Sequence, residues 1–448
     1  MSVAVLHRWL ARLVAVRPGE VRALCWSFAY FFCLLAGYYV LRPLRDEMGI
    51  AGGVRNLPWL FTATFVVMLA VVPVFGAVVA RLPRQRFIPL VYHFFVANIA
   101  IFWLLLTFDI ATVQTARVFF VWISVFNLFA VSVFWSFMAD LYASGQGKRL
   151  YGFIAAGGSA GALLGPALTV GLAGPLGPVN LLILAALLLE AAVLCAWKLE
   201  KAAPQLASEA AGPAAAAQAA RADTGGLGGG WLAGIGMLLR SPYLAGIASW
   251  VALLSLAGTF LYFQQANIVA SASDDPAVRT RIFATIDLAI GILTLLVQFL
   301  VTGRVIQRFG AGPAAAFLPF VFALGFVALW LTPALWVVIA FQAVQRAANF
   351  AISNPAREVL FTVLDREEKY KAKNVIDIVV FRGGDAASGW LFAALRGAGL
   401  DLGAISLATV PVTVAWLALA LALGRMHERR TRNAALSATV PPAKRSLT

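Results

Sequence analysis

Twelve apolar runs constrain this chain more than any other feature, because each is about 20 residues long, the length a helix needs to cross a bilayer's hydrocarbon core. They lie near residues 22–41, 57–80, 87–107, 114–140, 150–172 and 178–197, then 243–270, 281–302, 313–332, 334–356, 373–397 and 402–424. Of the 448 residues, 61% are hydrophobic and 12% charged, at mean hydropathy +0.86. No soluble domain of this size is so apolar. The expected fold is an all-α membrane protein with twelve transmembrane helices in two six-helix halves. The first run is too long for a signal peptide and lacks a cleavage site, so it is expected to remain as a helix.

The formal net charge of +15 would suit nucleic acid if the cations were clustered, but they are scattered between the apolar runs. That pattern orients a chain in a membrane instead. With the N-terminus inside, 25 of the 35 Lys and Arg fall in cytoplasmic segments, and only Arg42, Arg45, Arg55, Arg279, Arg281 and Arg396 fall outside. Arg117, Arg346, Arg357 and Arg382 lie within or at the end of spans. Both termini are therefore expected in the cytoplasm of a bacterial-type inner membrane. Ahead of span 1, Leu6, Trp9, Leu10, Leu13 and Val14 follow helical spacing with His7, Arg8 and Arg12 between them, which predicts a basic amphipathic helix on the membrane surface.

The Ala, Gly and Pro-rich segment 198–242 reads as a flexible cytoplasmic linker. It divides an N-terminal half (1–197) from a C-terminal half (243–424), with a basic cytoplasmic tail (425–448) beyond. The halves repeat. Gly76 and Arg81 after span 2 match Gly303 and Arg308 after span 8 at an offset of 227. Asp140 and Lys148 match Asp365 and Lys373 at 225, and Arg117 matches Arg346 at 229. Two parallel repeats are an architecture of alternating-access transporters.

Charges inside the apolar runs carry the functional argument. A charge at the centre of a spanning helix costs about 2.5–3.5 kcal/mol on insertion scales, so it faces a cavity or a partner. Arg42 and Arg45 share a helix face if span 1 continues, and Asp46 and Glu47 are there to hold them when no substrate is bound. Arg117, Arg346, Arg357 and Arg382 lie on spans 4, 10, 10 and 11. Arginine's planar fork suits phosphate or carboxylate, and its charge survives burial. A cavity lined by several arginines favours a multiply charged anion. The plainer alternative pairs each with a local acid: Arg45 with Asp46, Arg357 with Glu358, Arg382 with Asp385. Helix neighbours do not face each other, which weakens the first two pairs. Asp287 on span 8 and Asp377 on span 11 are candidate proton carriers, and Asp46, Glu358 and Asp385 complete the candidate coupling and gating acids.

Enzymatic chemistry finds no footing. Cys25, Cys33 and Cys195 form no CxxC, and His7, His93 and His427 are far apart, so no metal or cofactor is expected. GQGKRL (145–150) fails as a P-loop, with Tyr142 where the first Gly belongs and no Ser or Thr after Lys148. Movement must be driven by exchange or by an ion gradient.

Six stretches bring known families into view. GAVVARLPRQR (76–86) and GRVIQRFGAG (303–312) resemble the loop motif of the major facilitator superfamily, with Ala80 and Gln307 in place of its Asp. GALLGP (161–166) is similar to that superfamily's antiporter motif, and Gly157, Gly161 and Gly165 form a smooth face for close helix approach. The run Ser353, Asn354, Pro355, Arg357, Glu358, Leu364, Asp365, Lys369, Lys371, Lys373, Ile376, Asp377, Ile378, Val379 resembles a block of the nucleotide transporter family, the ATP/ADP translocases of intracellular bacteria and plastids. VLRPLRDEM (40–48) and FWSFMADLYASGQGKRLYG (134–152) resemble two further blocks. Arg45 and Arg357 stand where nucleotide-translocating members carry Lys, and Gln264 and Gln265 lie near the place of an acidic residue on span 7.

The resemblance implies the major facilitator fold and a secondary-active antiporter of a nucleotide or another anionic metabolite. The competing readings are a proton-coupled facilitator for an organic acid or drug, and a membrane-embedded enzyme or structural protein. The expected partners are a small anionic substrate and the lipid bilayer, with no nucleic acid, and the expected state is a monomer.

Overall fold

The structure, a computed structural model, describes residues 14–81, 84–210, 236–238, 240–298, 310–364, 368, 372–373 and 375–439. Residues 1–13 of the amphipathic segment, 211–235 of the linker, 303–309 of the second loop motif, and Asp365, Lys369 and Lys371 lie outside the described residues. Among the described residues, twelve helices are long and apolar enough to cross a membrane. We number them α1 (Val21–Ala51), α2 (Leu57–Arg81), α3 (Arg84–Thr107), α4 (Thr112–Leu141), α5 (Ser144–Leu172) and α6 (Leu181–Ala210). The second set is α7 (Pro242–Ala272), α8 (Pro276–Val297), α9 (Ala311–Leu331), α10 (Leu335–Val363), α11 (Val375–Gly397) and α12 (Leu402–Thr439). No strand occurs among the described residues. This follows from the solvent: hydrocarbon offers no partners to backbone N–H and C=O, so each span satisfies its own.

Three ends run past the expected boundaries. α1 continues through Arg42, Pro43, Arg45, Asp46 and Glu47 to Ala51, so these charges are helical and not in an external loop. α6 extends to Ala210, into the expected linker, and α12 to Thr439, into the expected tail. Hydropathy marks where a helix leaves the apolar core, not where it ends; Ala, Glu, Lys and Arg continue it readily in water. α1 stops at Gly52 and Gly53, the latter at φ 95°, a conformation that favours glycine.

The chain forms two compact units. One comprises Met1–Gly226 with Val269–Gly291, the other Leu227–Ile268 with Ile292–Thr448. In the first, α1 is central and packs on α4, α5 and α6, while α3 packs on α6. The α1–α5 approach depends on the three glycines. A Cβ on Gly157, Gly161 or Gly165 would sit 2.5, 2.3 or 2.7 Å from the carbonyl oxygens of Phe28, Phe32 and Ala36 respectively. Both helices advance by four residues per contact, so small residues on one ride along the backbone of the other. On the other side of α1, Tyr30 donates to Tyr92 on α3 (2.7 Å), which donates to the Ala130 carbonyl (3.2 Å), while Phe31 stacks on Phe134 at 4.1 Å between ring centres.

The second unit repeats the plan. α9 packs on α12 as α3 does on α6. Gly384 of α11 meets Ser255 of α7, its hypothetical Cβ 2.8 Å from Ser255 Oγ. Gly384 follows Gly157 by 227 positions (384 minus 157), and Ser255 follows Phe28 by the same 227 (255 minus 28). The close helix contact therefore recurs at the offset of the first loop pair.

Two helices carry turns that the hydropathy does not announce. α10 opens into a π-turn at Asn349–Ser353, and α11 begins with another at Val375–Val380. A π-turn forfeits regular geometry and is frequent at functional sites.

Candidate functional site

In the first unit the candidate charges converge where the end of α1 meets the start of α8. Arg42 Nη1 lies 3.4 Å from Asp287 Oδ1, both side chains largely buried, and its guanidinium stands 5.5 Å from the centre of the Tyr39 ring. Arg45 Nε lies 3.3 Å from Asp46 Oδ1, with the guanidinium 4.6 Å from the centre of the Phe120 ring. Glu47 is held by Arg279 through two bonds, from Nε at 2.7 Å and Nη2 at 2.8 Å. The sequence predicts Asp46 and Glu47 as the acids that hold Arg42 and Arg45. Asp46 does hold Arg45, despite being its chain neighbour, but Glu47 turns to Arg279 and Arg42 reaches Asp287. Each residue rotates about 100° round a helix, so Glu47 points some 200° away from Arg45.

In the second unit the charges sit on the two π-turned helices. Arg357 Nη1 donates to Asp377 Oδ1 at 2.9 Å, while the nearest Glu358 oxygen is 3.9 Å away. Glu358 instead takes two bonds from Lys373 Nζ at 2.7 and 2.8 Å. Thus the expected Arg357–Glu358 pair is secondary: Arg357 reaches across from α10 to α11. The Arg357–Asp377 bond stands just past one π-turn and inside the other. Along α10 ahead of it, Asn349 Oδ1 and Ser353 Oγ are buried with no hydrogen-bond partner among the described residues, as is Arg357 Nε itself. Such unmet polar atoms are costly inside a membrane protein, and they cluster where a ligand or a conformational change can satisfy them.

Arg382 and Asp385 form the expected pair, at 3.5 Å. Asp385 is tied more closely to α7, where Ser255 Oγ donates to its Oδ1 at 2.7 Å and Thr259 Oγ1 at 3.2 Å. Gln264 and Gln265 are both buried on α7. Gln264 accepts from Ser406 Oγ at 3.0 Å, and Gln265 accepts from Gln342, which in turn accepts from Gln345 at 2.8 Å. Arg346 is half-buried on α10, three residues before the π-turn.

Arg117 is brought to a different place from Arg42 and Arg45's acids. Its Nε donates to the Gly52 carbonyl at 2.9 Å, capping the end of α1, and Asn56 Nδ2 donates to the same oxygen at 3.1 Å. On the opposite, N-terminal side of α1, Glu20 is fully buried and takes bonds from Arg149 at 2.7 and 3.2 Å, Gln146 at 3.1 Å and the Arg17 amide at 2.9 Å. Arg149 also donates to the Ala15 carbonyl. Among the described residues, no group of three or more His, Cys, Asp or Glu is placed to hold a metal ion.

Arg42, Arg45, Arg357 and Arg382 are each met by a carboxylate within the spanning helices. The signature of the family described as TLC ATP/ADP transporter matches residues 117–426, well over half of the chain. The chain belongs to the TLC ATP/ADP transporter family. It is a multi-pass membrane transporter, and the matched region of this family contains Arg357, Asp377, Arg382 and Asp385, with Arg42 and Arg45 ahead of it. No curated protein sequence matches the chain significantly. Solved structures share the fold at low identity. A POT family transporter in complex with a thioalcohol-conjugated peptide is 12% identical, with TM-score 0.60 over 92% of this chain and 97% of that one. A bacterial homologue of the iron transporter ferroportin, in an inward-facing state, is 11% identical with TM-score 0.61 over 92% and 99%. A bacterial homologue of the human lysosomal transporter Spinster, inward-facing and unoccupied, is 14% identical with TM-score 0.52 over 96% and 100%. These likenesses give the major facilitator fold that the sequence motifs imply, now for a member of the TLC ATP/ADP transporter family.

Sequence reasoning missed the Glu47–Arg279 and Glu20–Arg149 pairs and the hydroxyls on Asp385. Nothing local signals them: in each, the partners come from different helices far apart in the chain. Glu20 alone offered a hint, as an acid at the entry of the first apolar run.

Proposed function

We propose that this chain exchanges nucleotides, or anions of similar phosphate charge, across a bacterial-type inner membrane by alternating access, with both termini in the cytoplasm and acting as a monomer. Arg42 and Arg45 of the first unit and Arg357 and Arg382 of the second are its anion-binding cations. The observation that carries this reading is the Arg357–Asp377 bond at 2.9 Å, set on two π-turned helices with buried unpartnered polar atoms beside it. An arginine so placed is pre-organised yet occupied: a phosphate must displace a carboxylate to reach it.

The same logic holds for Arg42 on Asp287 and Arg45 on Asp46. An incoming anion takes the guanidinium and releases the acid; its departure restores the internal pair. This makes an exchanger rather than a leak, because without cargo the internal pairs resist separation of the charges in a medium of low dielectric. Asp287 and Asp377 then serve as internal counter-anions, and a coupled proton is not required.

Reconstitution tests this directly. Proteoliposomes loaded with ADP are expected to take up labelled ATP, and unloaded vesicles to take up little. Uptake that ignores internal nucleotide but follows an imposed proton gradient would favour a proton-coupled carrier of another compound.

A further inference from the structure

We infer that the outer face of α2, α3 and α4 is a binding groove for one anionic glycerophospholipid, its headgroup phosphate on Arg117 and an acyl chain along the helices. The groove is a cavity of about 950 Å³ within the first unit, lined by Leu60, Val67, Phe94, Val121, Trp122 and Phe129 among others, and Arg117 is the one charged side chain among the described residues of its lining. Its rim is open: Leu90, Phe94 and Val118 are each close to 60% exposed, at 58%, 59% and 58%. A face of spanning helices that is concave and apolar meets lipid, not water.

What selects an anionic lipid is the place of the arginine. Arg117 lies five residues into α4, about 8 Å below its start, where a headgroup phosphate can be met by a side chain reaching toward the interface. Its Nε is fixed on the Gly52 carbonyl at 2.9 Å, which aims the guanidinium and leaves its terminal amino groups to meet phosphate oxygens. From Arg117 to Phe129 the groove follows α4 for twelve residues, about 18 Å, a little more than one leaflet's share of a hydrocarbon core roughly 30 Å thick. One leaflet's acyl chain therefore reaches along the groove from Arg117 to Phe129. A second copy of the protein is the other candidate occupant, but a helix from it would lay apolar residues against Arg117 and leave that charge unmatched.

The test is lipid retention by the purified full-length chain, read by native mass spectrometry after exposure to equal phosphatidylglycerol and phosphatidylcholine. The wild-type chain is expected to keep one phosphatidylglycerol in preference. Arg117→Gln should reduce that preference about tenfold or more, as loss of a charge-assisted bond implies, and Arg117→Lys should keep part of it. Val121→Trp fills the groove without touching the charge and should lower retention of both lipids. Size-exclusion profile and melting temperature show that each variant is folded. Retention of phosphatidylglycerol unchanged in both Arg117→Gln and Val121→Trp would overturn the inference. So would a dimer in which Phe94→Cys crosslinks to the same face of a second copy.

Discussion

Arg357 faces Asp377 at 2.9 Å and Glu358 at 3.9 Å, and this difference decides how its removal should behave. A hydrogen bond to a charged group contributes about 1.5–3 kcal/mol, so Arg357→Gln should weaken nucleotide binding about 10–150-fold. Arg357→Lys should cost less, because it keeps the charge and loses only the fork. If Arg357 is only structural, Arg357→Gln lowers folded yield, and adding Asp377→Asn restores it with affinity unchanged; scintillation binding beside fluorescence-detected chromatography separates the outcomes. For Asp287 the expectation is an altered mode of transport. Asp287→Asn leaves Arg42 without its carboxylate 3.4 Å away, so unloaded proteoliposomes should begin to take up labelled ATP, and the ratio of loaded to unloaded uptake should fall. The arginines themselves were legible in the sequence, since a cation inside an apolar run stands out. Their partners were not: Arg42 and Asp287 meet only because α1 and α8 do, and no spacing rule reaches that far.

At the scale of the element, the glycine ladder and the π-turns differ in what they bear on. A Cβ at Gly161 would stand 2.3 Å from the Phe32 carbonyl oxygen and 2.9 Å from the Ala36 amide nitrogen. Gly161→Leu should therefore force α5 off α1 and destabilise the fold by about 3 kcal/mol or more, the upper end for overpacking, seen as a lower melting temperature with little monodisperse protein. Deleting Phe350, an exposed residue of the α10 π-turn, should do the reverse. It lets the helix become regular and turns Arg357 about 100° relative to the preceding segment. The expected result is folded protein with a near-normal melting temperature and no exchange. Hydropathy revealed all twelve helices, because membrane solvent enforces helicity whatever the side chains. It could not reveal the π-turns, which leave no mark in composition. Nor could it show that α1 carries its charges for another two turns, since that depends on Asp287 and Arg279 from elsewhere in the chain meeting Arg42 and Glu47.

For the whole molecule, reporter fusions at Gly226 and Leu447 should both read as cytoplasmic; a periplasmic signal at either would reverse the proposed orientation. The duplication was legible from loop residues, and the Gly157–Phe28 and Gly384–Ser255 contacts give it a packing basis. One feature departs from a simple pair of copies. Val269–Gly291, the corner joining α7 to α8, is counted with the first unit, and it brings Arg279 to Glu47 and Asp287 to Arg42. A chain severed in the linker would leave the leading fragment with Arg42 and Glu47, one of each sign, stripped of the partners they meet at 3.4 and 2.7 Å. Such a fragment made alone should be cleared by membrane proteases, and co-production of the trailing fragment should rescue it. The protein is thus a tandem in which the trailing member lends a piece to the leading one: the seam in the gene and the seam in the folded object fall at different residues.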